Sequence, residues 1–464
     1  MRTSSPTVTR LAGLFTDAGH ELYLVGGPVR DALLGRSGND LDFTTSARPD
    51  QIEALLRQVS RSLWDMGREF GTIGCAVFED DRELILEVTT FRAEAYDAQS
   101  RKPDVKFGEH LGADLVRRDF TVNAMALSMT GGELLDPFGG LADLERGVLA
   151  TPSTPELSFS DDPLRMLRAA RFASQLEFAP ADDVASAMTD MAARIDIVSA
   201  ERVREELTKL LLSPRPRLGL DLLVQTGLAD QMLPELPALR MERDEHNRHK
   251  DVYEHSLTVL DQAIDLEWRL GGPDLINRLA ALLHDVGKPR TRRFEPGGKV
   301  SFHHHDVVGA KLITKRLTAL RFPTDVIKAV AKLAELHLRF HGYGEGQWTD
   351  SAVRRYVRDA GDQLERLHIL TRSDCTTRNA AKAARLRRAY EELEFRIDEL
   401  AGQEELNALR PDLDGEQIMA ILGLSPGPLV GQAYRFLLEK RIDDGPLGEA
   451  VAADALRAWW AERA

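Results

Sequence analysis

Short apolar runs separated by turn residues dominate the first 140 residues. Four runs have the length and the β-branched or aromatic content of strands: ELYLVGG (21–27), LDFTT (41–45), IGCAVFED (73–80) and ELILEVTTFR (83–92). The run QIEALLRQV (51–59) instead repeats at helical spacing. From about residue 141, helical periodicity continues to the end of the chain. The pattern predicts an α+β protein, with strands and helices first and an all-helical remainder.

Glycine, proline and polar stretches mark the predicted turns and boundaries. The last two strands are expected to pair through a turn at residues 80–82. The polar stretch 93–108 predicts a loop, and DPFGG (136–140) predicts a hinge at the first domain boundary. The proline-containing stretches 211–219 and 232–240 predict further boundaries.

Composition then restricts the class of protein. The chain has 464 residues and a net charge of −14, which argues against general coating of nucleic acid but allows a local basic groove. No apolar run reaches the length of a membrane span, and the N-terminus lacks the apolar core of a signal peptide. The two cysteines, Cys75 and Cys375, form no disulfide framework and suit a reducing cytoplasm.

The stretch LVGGPVRDALLGRSGNDLDFTT (24–45) carries the first candidate chemistry. In a strand, Asp40 and Asp42 point to one face, about 6–7 Å apart at their Cα atoms, and a divalent cation would relieve their repulsion. A polar turn before a strand is the alternative. Gly26 and Gly27 between a strand and a helix allow backbone N–H groups to approach a phosphate, and Arg30 can donate to a triphosphate.

Two later stretches add polar residues to helix starts. LVRRDFTVNAMAL (115–127) predicts a helix from near Asp119, where capping explains the aspartate but not the Arg117–Arg118 pair or Asn123. DDPLRMLRAARF (161–172) places Asp162 and Arg165 on one helical face. A carboxylate and a guanidinium there would accept cytosine or adenine and reject guanine or uracil. A helix cap with a surface ion pair is the alternative.

Most of the chain's twelve histidines fall between His246 and His341. The helical His255, the doublet His284–Asp285 and the later Asp374 combine imidazole and carboxylate groups that suit a divalent transition metal. His305 and His337 are candidates for a second metal, although the sequence does not distinguish among the three histidines 303–305.

These motifs resemble the class II tRNA nucleotidyltransferases, the bacterial-type CCA-adding enzymes and poly(A) polymerases of the polymerase-beta-like superfamily. The match runs in order through GGPVRDALLG, DLDF, RRDFTVNA, DPFGG, DDPLRMLRAARF and ERVREEL (201–207). Asp161 departs from it, because the family usually has Glu there. The histidine pattern resembles the HD phosphohydrolase superfamily.

The resemblance implies a polymerase-beta-like head with helices and a mixed, five-stranded sheet, followed by an all-α neck, HD-type body and tail. We expect a nucleotidyltransferase head at 1–140, a neck with the base reader at 141–240, an HD-type body at 241–380 and a tRNA-binding tail at 381–464. It implies Mg²⁺ at Asp40 and Asp42, with Glu87 as the candidate third carboxylate. An inward-facing strand residue with a salt-bridge partner is the alternative for Glu87. The expected nucleotide-binding residues are Gly26, Gly27, Arg30, Arg118, Asp119, Asn123, Asp162, Arg165, Arg168 and Arg171; the expected HD-site ligands are His255, His284, Asp285 and Asp374.

The leading functional hypothesis is therefore template-independent addition of C, C and A to the 3′ end of tRNA from CTP and ATP, with an HD phosphohydrolase activity. A poly(A) polymerase, a C-only or A-only adding enzyme, and a metal phosphohydrolase with an RNA-binding head are the alternatives. The tail stretch GLSPGP (423–428) between two predicted helices either presents backbone amides to RNA or forms a plain helical hairpin. The sequence carries no signal of an oligomeric state.

Overall fold

A computed structural model describes most of the chain in two compact units, Met1–Pro234 and Glu235–Ala464. The described residues are 5–36, 38–79, 82–92, 108, 110–241, 251–296, 299–342, 348–377, 379–404 and 410–463. Most of the loop predicted at 93–108 and of the turn at 80–82 lies outside them. Within these segments, no helix has the length and apolar composition that crossing a bilayer demands.

A seven-stranded sheet forms the centre of the first unit, with the strand order β3-β4-β5-β2-β1-β6-β7. Neighbouring strands are antiparallel except for β2 and β5, which are parallel. The strands are β1 (Leu22–Val25), β2 (Asp40–Thr45), β3 (Ser62–Trp64), β4 (Thr72–Glu79), β5 (Arg82–Thr90), β6 (Ala126–Ser128) and β7 (Leu134–Leu135).

The mixed α+β class is confirmed, but the expectation of five strands is wrong. The four apolar runs became β1, β2, β4 and β5. The other three strands have only two or three residues each, which is too short for a period-two pattern to stand out. They form at the sheet's two ends because neighbouring strands supply their hydrogen-bond partners.

Helices cover one face of the sheet and continue into the second half of the first unit. Phe15 from α1 and Ile52 and Leu56 from α3 pack with Phe43 and Leu86 of the sheet in one buried cluster. The helices are α1 (Pro6–Asp17), α2 (Gly27–Leu33), α3 (Pro49–Leu56), α4 (Leu111–Val116), α5 (Gly140–Arg146), α6 (Pro155–Asp161), α7 (Leu164–Leu176), α8 (Asp182–Asp190), α9 (Ala200–Leu211), α10 (Pro216–Gln225) and α11 (Leu228–Met232). A two-stranded parallel pair, β8 (Val148–Leu149) and β9 (Ala179–Pro180), lies among them.

The helix predicted from near Asp119 is not formed. α4 ends before it, and only a 3₁₀ turn, Thr121–Asn123, follows. The Asp119 carboxylate accepts hydrogen bonds from the Phe120 N–H and the Asn123 amide, which closes a short turn instead of starting a long helix. The chain then enters β6.

The described residues of the second unit form helices and one antiparallel hairpin. Its elements are α12 (Val252–Asp265), α13 (Leu275–Leu283), α14 (Lys288–Thr291), β10 (Arg293–Glu295), β11 (Lys299–Ser301), α15 (His305–Ala319), α16 (Thr324–Leu336), α17 (Asp350–Ala360), α18 (Leu364–Ser373), α19 (Ala380–Glu404), α20 (Gly415–Leu422), α21 (Pro428–Asp444) and α22 (Glu449–Ala461). Asp251 and Asp274 cap α12 and α13 by accepting hydrogen bonds from backbone N–H groups. The two small strand pairs, β8–β9 and β10–β11, correct the expectation that everything after the head is helical.

Candidate functional site

Three carboxylates share one face of the central strands. The register of the parallel pair β2–β5 places Asp42 beside Glu87. Asp40 lies on the same face because it is two residues before Asp42, whereas Leu41 and Phe43 point into the core and are buried. The structure therefore brings the two predicted aspartates together with Glu87. Glu87 makes no ion pair with any described residue, so the alternative of a salt-bridged strand residue receives no support.

Burial and mutual repulsion act on these carboxylates. Burial raises the pKa of Asp42, the Arg118 charge lowers it, and the Asp40 charge raises it again. Burial also raises the pKa of Glu87, and the charges of Asp42 and Asp40 add to this effect. A divalent cation among the three groups would relieve the repulsion, and oxygen donors of this kind suit Mg²⁺.

The Gly26–Gly27 turn brings the start of α2 close to these carboxylates. Gly26 has φ +73°, a left-handed conformation that favours glycine. A Cβ atom at Gly26 would lie 2.8 Å from Arg118 Nη1 and 3.9 Å from Asp42 Oδ2. Arg118 is held on its other side by Asp114, whose Oδ2 lies 3.2 Å from Arg118 Nη2. Glycine at this turn therefore leaves room for a guanidinium beside the catalytic candidates.

A chain of buried hydrogen bonds runs from Arg30 to Arg168. Arg30 pairs with Asp31 at 2.8 Å and donates to Asn123 Oδ1 at 2.6 Å. Asn123 donates to Asp119 Oδ1 at 2.9 Å, and Arg168 Nε donates to Asp119 Oδ2 at 2.8 Å. Burial opposes ionisation of Asp119, but Arg168 and Asn123 together hold its pKa well below its usual range. Four of the predicted nucleotide-binding residues are thus parts of one network.

Glu206 and Phe172 extend this network to the remaining arginine. Arg171 Nε lies 2.6 Å from Glu206 Oε2, and Arg168 Nη1 lies 3.6 Å from Glu206 Oε1. Burial and the Arg168 charge lower the pKa of Arg171, while Glu206 acts in the opposite direction. The guanidinium carbons of Arg30, Arg168 and Arg171 lie 5.2, 5.5 and 4.1 Å from the centre of the Phe172 ring. One aromatic ring therefore supports three guanidiniums through cation–π contacts.

Asp162 and Arg165 are adjacent, but they are not bonded to each other through their side chains. Asp162 Oδ1 accepts the N–H two residues on, at 3.1 Å, and Oδ2 pairs with Arg202 at 2.8 Å. The buried Arg165 donates to Ser158 Oγ at 2.9 Å and to the Arg117 carbonyl. The local ion pair considered as an alternative for Asp162 and Arg165 is therefore not formed. Both side chains are fixed in orientation by other partners.

Sequence reasoning missed the groups that hold the arginines and the aspartate in place. Asp114, Phe172, Arg202 and Glu206 were not singled out. Only the last two had a usable signal, because Arg202 and Glu206 stand four residues apart within ERVREEL and so share a face of α9. Their contacts, to Asp162 and to the arginines of α7 respectively, depend on tertiary packing.

A second cluster of polar side chains forms in the unit that begins at Glu235, and Asp285 is at its centre. His255 Nε2 and His284 Nε2 lie 3.5 and 3.3 Å from Asp285 Oδ2. His305 Nε2 and His337 Nε2 lie 3.3 and 3.9 Å from the other carboxylate oxygen, Oδ1. Two sets of three, sharing Asp285, bring one ligand atom each within 4.8 Å of one another. The described head carboxylates do not form a set this close.

Asp374 completes the group on one side. Its Oδ1 lies 2.9 Å from His255 Nε2 and 3.6 Å from His284 Nε2. All four predicted HD-site ligands are thus brought together, along with two further histidines. We call these residues the histidine cluster: His255, His284, Asp285, His305, His337 and Asp374.

Backbone carbonyls orient three of the imidazoles. The Nδ1 atoms of His284, His305 and His337 lie 2.9, 2.8 and 2.6 Å from carbonyl oxygens three residues earlier. In the neutral imidazole, such a bond assigns the proton to Nδ1 and directs the Nε2 lone pair inward, as in metal-bound histidines. The buried Nε2 atoms of His284 and His305 have no hydrogen-bond partner among the described residues. These inward nitrogens fit a metal better than they fit a packed core.

The electrostatics of the cluster reflect its concentrated charge. Burial lowers the pKa of His284, but Asp285 and Asp374 outweigh it and raise the value to about 10. Burial, together with the positive charge of His284, lowers the pKa of His337 to about 4. A positive charge among these side chains is therefore stabilised by the two carboxylates, and a divalent cation would supply it.

Helix ends from across the unit supply the ligand residues. His255 lies on α12, His284 follows α13, His305 begins α15, His337 follows α16 and Asp374 follows α18. The structure settles which of the three consecutive histidines joins the cluster, because His305 is buried there and the other two are exposed.

Two residues next to the doublet were missed from the sequence. Lys288 Nζ lies 2.5 Å from Asp285 Oδ2, one helical turn on. A Cβ atom at Gly287 would lie 2.0 Å from the His305 carbonyl oxygen, so only glycine permits this close approach of α14 and α15.

Family models match three parts of the chain. A model described as poly A polymerase head domain matches residues 22–150, and one described as probable RNA and SrmB-binding site of polymerase A matches residues 177–239. A model of the HD domain matches residues 252–379. The matched regions contain the head carboxylates and the histidine cluster.

Two relatives are similar over nearly the whole chain. An A-adding tRNA nucleotidyltransferase of Deinococcus radiodurans is 37% identical over 450 residues, which cover 95% of both proteins. A CC-adding tRNA nucleotidyltransferase of Thermus thermophilus is 34% identical over 446 residues, 95% of this chain and 94% of the relative. A CCA-adding enzyme of Streptococcus gordonii is 42% identical over 229 residues, covering 49% of this chain and 55% of that enzyme.

A solved structure shares the fold along the full length. It is the CCA-adding enzyme of Bacillus stearothermophilus in complex with CTP, with a TM-score of 0.69, 24% identity and coverage of 99% of each chain.

Proposed function

Because the chain belongs to the family of tRNA nucleotidyltransferases with a poly A polymerase head domain, we propose that it adds C, C and A to the 3′ end of tRNA from CTP and ATP. The observation that carries this proposal is the position of Asp42 between Glu87 on the neighbouring strand and Arg118 beside the Gly26 turn. Opposite charges at one open sheet face suit a metal-bound triphosphate.

The chain's own residues then have distinct roles in nucleotidyl transfer. Asp40 and Asp42 would hold Mg²⁺, with Glu87 as a third carboxylate. Bound Mg²⁺ supplies a lower pKa for the RNA 3′-hydroxyl and charge stabilisation for the leaving pyrophosphate. Arg118 and Arg30 lie on the side of the Gly26–Gly27 turn and would balance the phosphate charge. The RNA 3′-hydroxyl loses its proton, and its oxygen forms a bond to the α-phosphorus. The bond between the α-phosphorus and the oxygen that bridges to the β-phosphate breaks, and pyrophosphate leaves.

Base selection is assigned to Asp162 and Arg165. Arg202 and a backbone N–H occupy part of the Asp162 carboxylate, which leaves lone pairs to accept from the exocyclic amine of cytosine or adenine. Arg165 is held by Ser158 and by the Arg117 carbonyl, so its remaining donors have a fixed direction. Guanine and uracil present a carbonyl oxygen to the carboxylate and are rejected.

Partial addition is the second candidate function. The two relatives that match nearly the whole chain are named for A addition and for CC addition, respectively. Because Asp162 and Arg165 would accept both cytosine and adenine, these two residues do not distinguish CCA addition from CC-only or A-only addition.

The histidine cluster supports a separate phosphohydrolase activity. Its imidazole and carboxylate donors suit Mn²⁺, Co²⁺, Ni²⁺ or Fe²⁺ better than Mg²⁺. The substrate class is a small phosphoester, either a 2′,3′-cyclic nucleotide or a terminal phosphate on RNA. Hydrolysis adds the water oxygen to phosphorus and a proton to the departing sugar oxygen, and it would prepare an RNA end for extension.

We propose that the protein acts in the cytoplasm. Neither Cys75 nor Cys375 forms a disulfide, which suits a reducing environment.

One experiment separates these alternatives. The protein is incubated with tRNA that lacks its 3′ end and with CTP, ATP or both, and the product ends are sequenced. Complete CCA ends that require both nucleotides support the proposal. Addition that stops after CC, or that requires a CC end and ATP, supports partial addition, and long A tracts identify a poly(A) polymerase.

A further inference from the structure

A short hairpin between two residues of the histidine cluster, Asp285 and His305, carries arginines and an exposed aromatic ring that are not part of the cluster. We call residues 290–296 and 299–301 the arginine hairpin. β10 and β11 pair in antiparallel register, with Phe294 opposite Val300. The segment connects the doublet at Asp285 to His305, and those two side chains lie 3.3 Å apart. The chain on both sides of the hairpin therefore leads to the proposed metal centre.

The hairpin carries three arginines within four residues. Arg290 and Arg293 are exposed and Arg292 is half-buried. None of the three forms an ion pair with a carboxylate in the part of the chain that the structure describes. Other arginines of the same unit are paired: Arg278 with Glu267 at 2.6 Å, for example. In a chain with a net charge of −14, a cluster of unpaired guanidiniums points to an anionic ligand.

An exposed aromatic ring stands among these charges. The Phe294 side chain is 70% exposed, and the Arg292 guanidinium carbon lies 4.7 Å from its ring centre. Its strand partner Val300 lies on the same face of the hairpin and is buried, whereas the Phe294 ring remains largely open to solvent. The closest carboxylate in sequence, Glu295, is engaged by Ser301 Oγ at 2.7 Å.

Proteins that bind single-stranded nucleic acid combine cationic side chains with exposed aromatic rings, as this hairpin does. The arginines can contact phosphates bidentately, and a base can stack on the ring without sequence preference. A protein partner of acidic character would use the charges but would not need the exposed ring. The combination, on a segment whose flanking residues Asp285 and His305 meet in the histidine cluster, favours an RNA end.

We infer that the arginine hairpin binds the single-stranded 3′ end of an RNA, stacking a base on Phe294 and presenting the terminal phosphate to the histidine cluster. This inference gives the substrate class of the phosphohydrolase activity proposed above and rests on it. The substrate is then an RNA end rather than a free nucleotide.

The test compares Phe294→Ala with a matched control, Phe395→Ala, because Phe395 has the same 70% exposure in the same unit. The full-length proteins, loaded with Mn²⁺ or Ni²⁺, hydrolyse two probes: a short RNA ending in a 2′,3′-cyclic phosphate, and bis(p-nitrophenyl) phosphate. We expect Phe294→Ala to raise KM for the RNA about tenfold, the effect of losing one stacked base, and to leave bis(p-nitrophenyl) phosphate hydrolysis unchanged. Phe395→Ala should change neither. An unchanged KM for RNA, or an equal loss with both probes, would overturn the inference.

A metal-free measurement separates this inference from the activity on which it rests. An RNA with a terminal 4-thiouridine is photo-crosslinked to the protein in EDTA, and the crosslinked peptides are identified by mass spectrometry. We expect crosslinks in residues 290–301 that decrease at least severalfold in a variant with both Arg292→Ala and Arg293→Ala. Crosslinks there without any hydrolysis would remove the phosphohydrolase proposal and keep the hairpin as an RNA site. Their absence from the hairpin would overturn the inference even if hydrolysis occurs.

Discussion

At the scale of single residues, the clustered carboxylates of the head site lower the free energy of unfolding, although the proposed metal binding needs them. Asp42 lies beside Asp40 and Glu87, and burial together with the Asp40 charge raises its pKa above the ordinary value of 3.8. A carboxyl group whose pKa is raised in the folded state binds its proton more tightly there. Its contribution therefore lowers the free energy of unfolding as pH rises through that raised value, and the full cost is present near neutral pH.

Asp42→Asn should separate this cost from function. We expect nucleotide addition to fall by roughly 10²-fold or more, because one charged oxygen donor is lost. In metal-free buffer near pH 7, the melting temperature should stay equal or rise, and the difference from the unmodified protein should vanish at pH values below 3.8. Incorporation assays and thermal unfolding at several pH values measure both effects. Normal incorporation by this variant would contradict the two-carboxylate mechanism.

Asp162→Ala tests the base reader at the same scale. Removing the carboxylate should weaken discrimination against UTP and GTP by roughly 10²-fold or more, with a smaller change in triphosphate affinity. The matched control is Arg202→Ala, which removes the same 2.8 Å ion pair but keeps the carboxylate. Single-turnover incorporation of each nucleotide supplies the comparison. Equal loss of selectivity in both variants would mean that the ion pair, and not the base contact, is responsible.

At the scale of elements, the sequence pattern predicted features that depend on a single strand or helix. The i, i+2 spacing placed Asp40 and Asp42 on one face because a strand alternates by geometry alone. The position of Glu87 beside Asp42 depends on which strands are neighbours and on their register, which no local pattern contains. At Asp119, one carboxylate oxygen closes the local turn with the Phe120 N–H and the Asn123 amide, and the other accepts from Arg168 of α7. The second bond depends on tertiary packing, which no local pattern contains. The short edge strands likewise exist only through their neighbours.

One buried carboxylate of α9, Glu206, joins that helix to α7 by ion pairs. It is only 4% exposed and faces Arg168 and Arg171. Glu206→Gln should leave part of a buried positive charge uncompensated and lower the free energy of unfolding by about 3 kcal/mol. The neighbouring Glu205→Gln is the control, because Glu205 is exposed and should change stability by no more than about 0.5 kcal/mol. Urea unfolding of both variants provides the test, and equal small effects would show that the buried network contributes little.

At the scale of the whole molecule, two compact units contain two chemically different sites. The head carboxylates lie within Met1–Pro234, and the histidine cluster lies within Glu235–Ala464. The first offers oxygen donors alone, whereas the second offers four imidazoles around Asp285. Since these donor sets favour different cations, the two activities should respond differently to metal supply.

Loss of the histidine cluster should therefore abolish hydrolysis and spare CCA addition. His284→Ala removes an imidazole that is fully buried, so Asp374→Asn, which is more exposed and keeps the side-chain volume, is tested beside it. The exposed His303→Ala serves as a control that should change neither activity. Hydrolysis of bis(p-nitrophenyl) phosphate with each of Mn²⁺, Co²⁺, Ni²⁺ and Fe²⁺ is measured against CCA addition with Mg²⁺, with thermal unfolding as the check on folding. Loss of both activities in a stably folded Asp374→Asn protein would show that the sites are coupled. If the unmodified protein hydrolyses nothing with any of the four metals, the histidine cluster is structural, because oriented imidazoles around a carboxylate can also stabilise a fold without turnover.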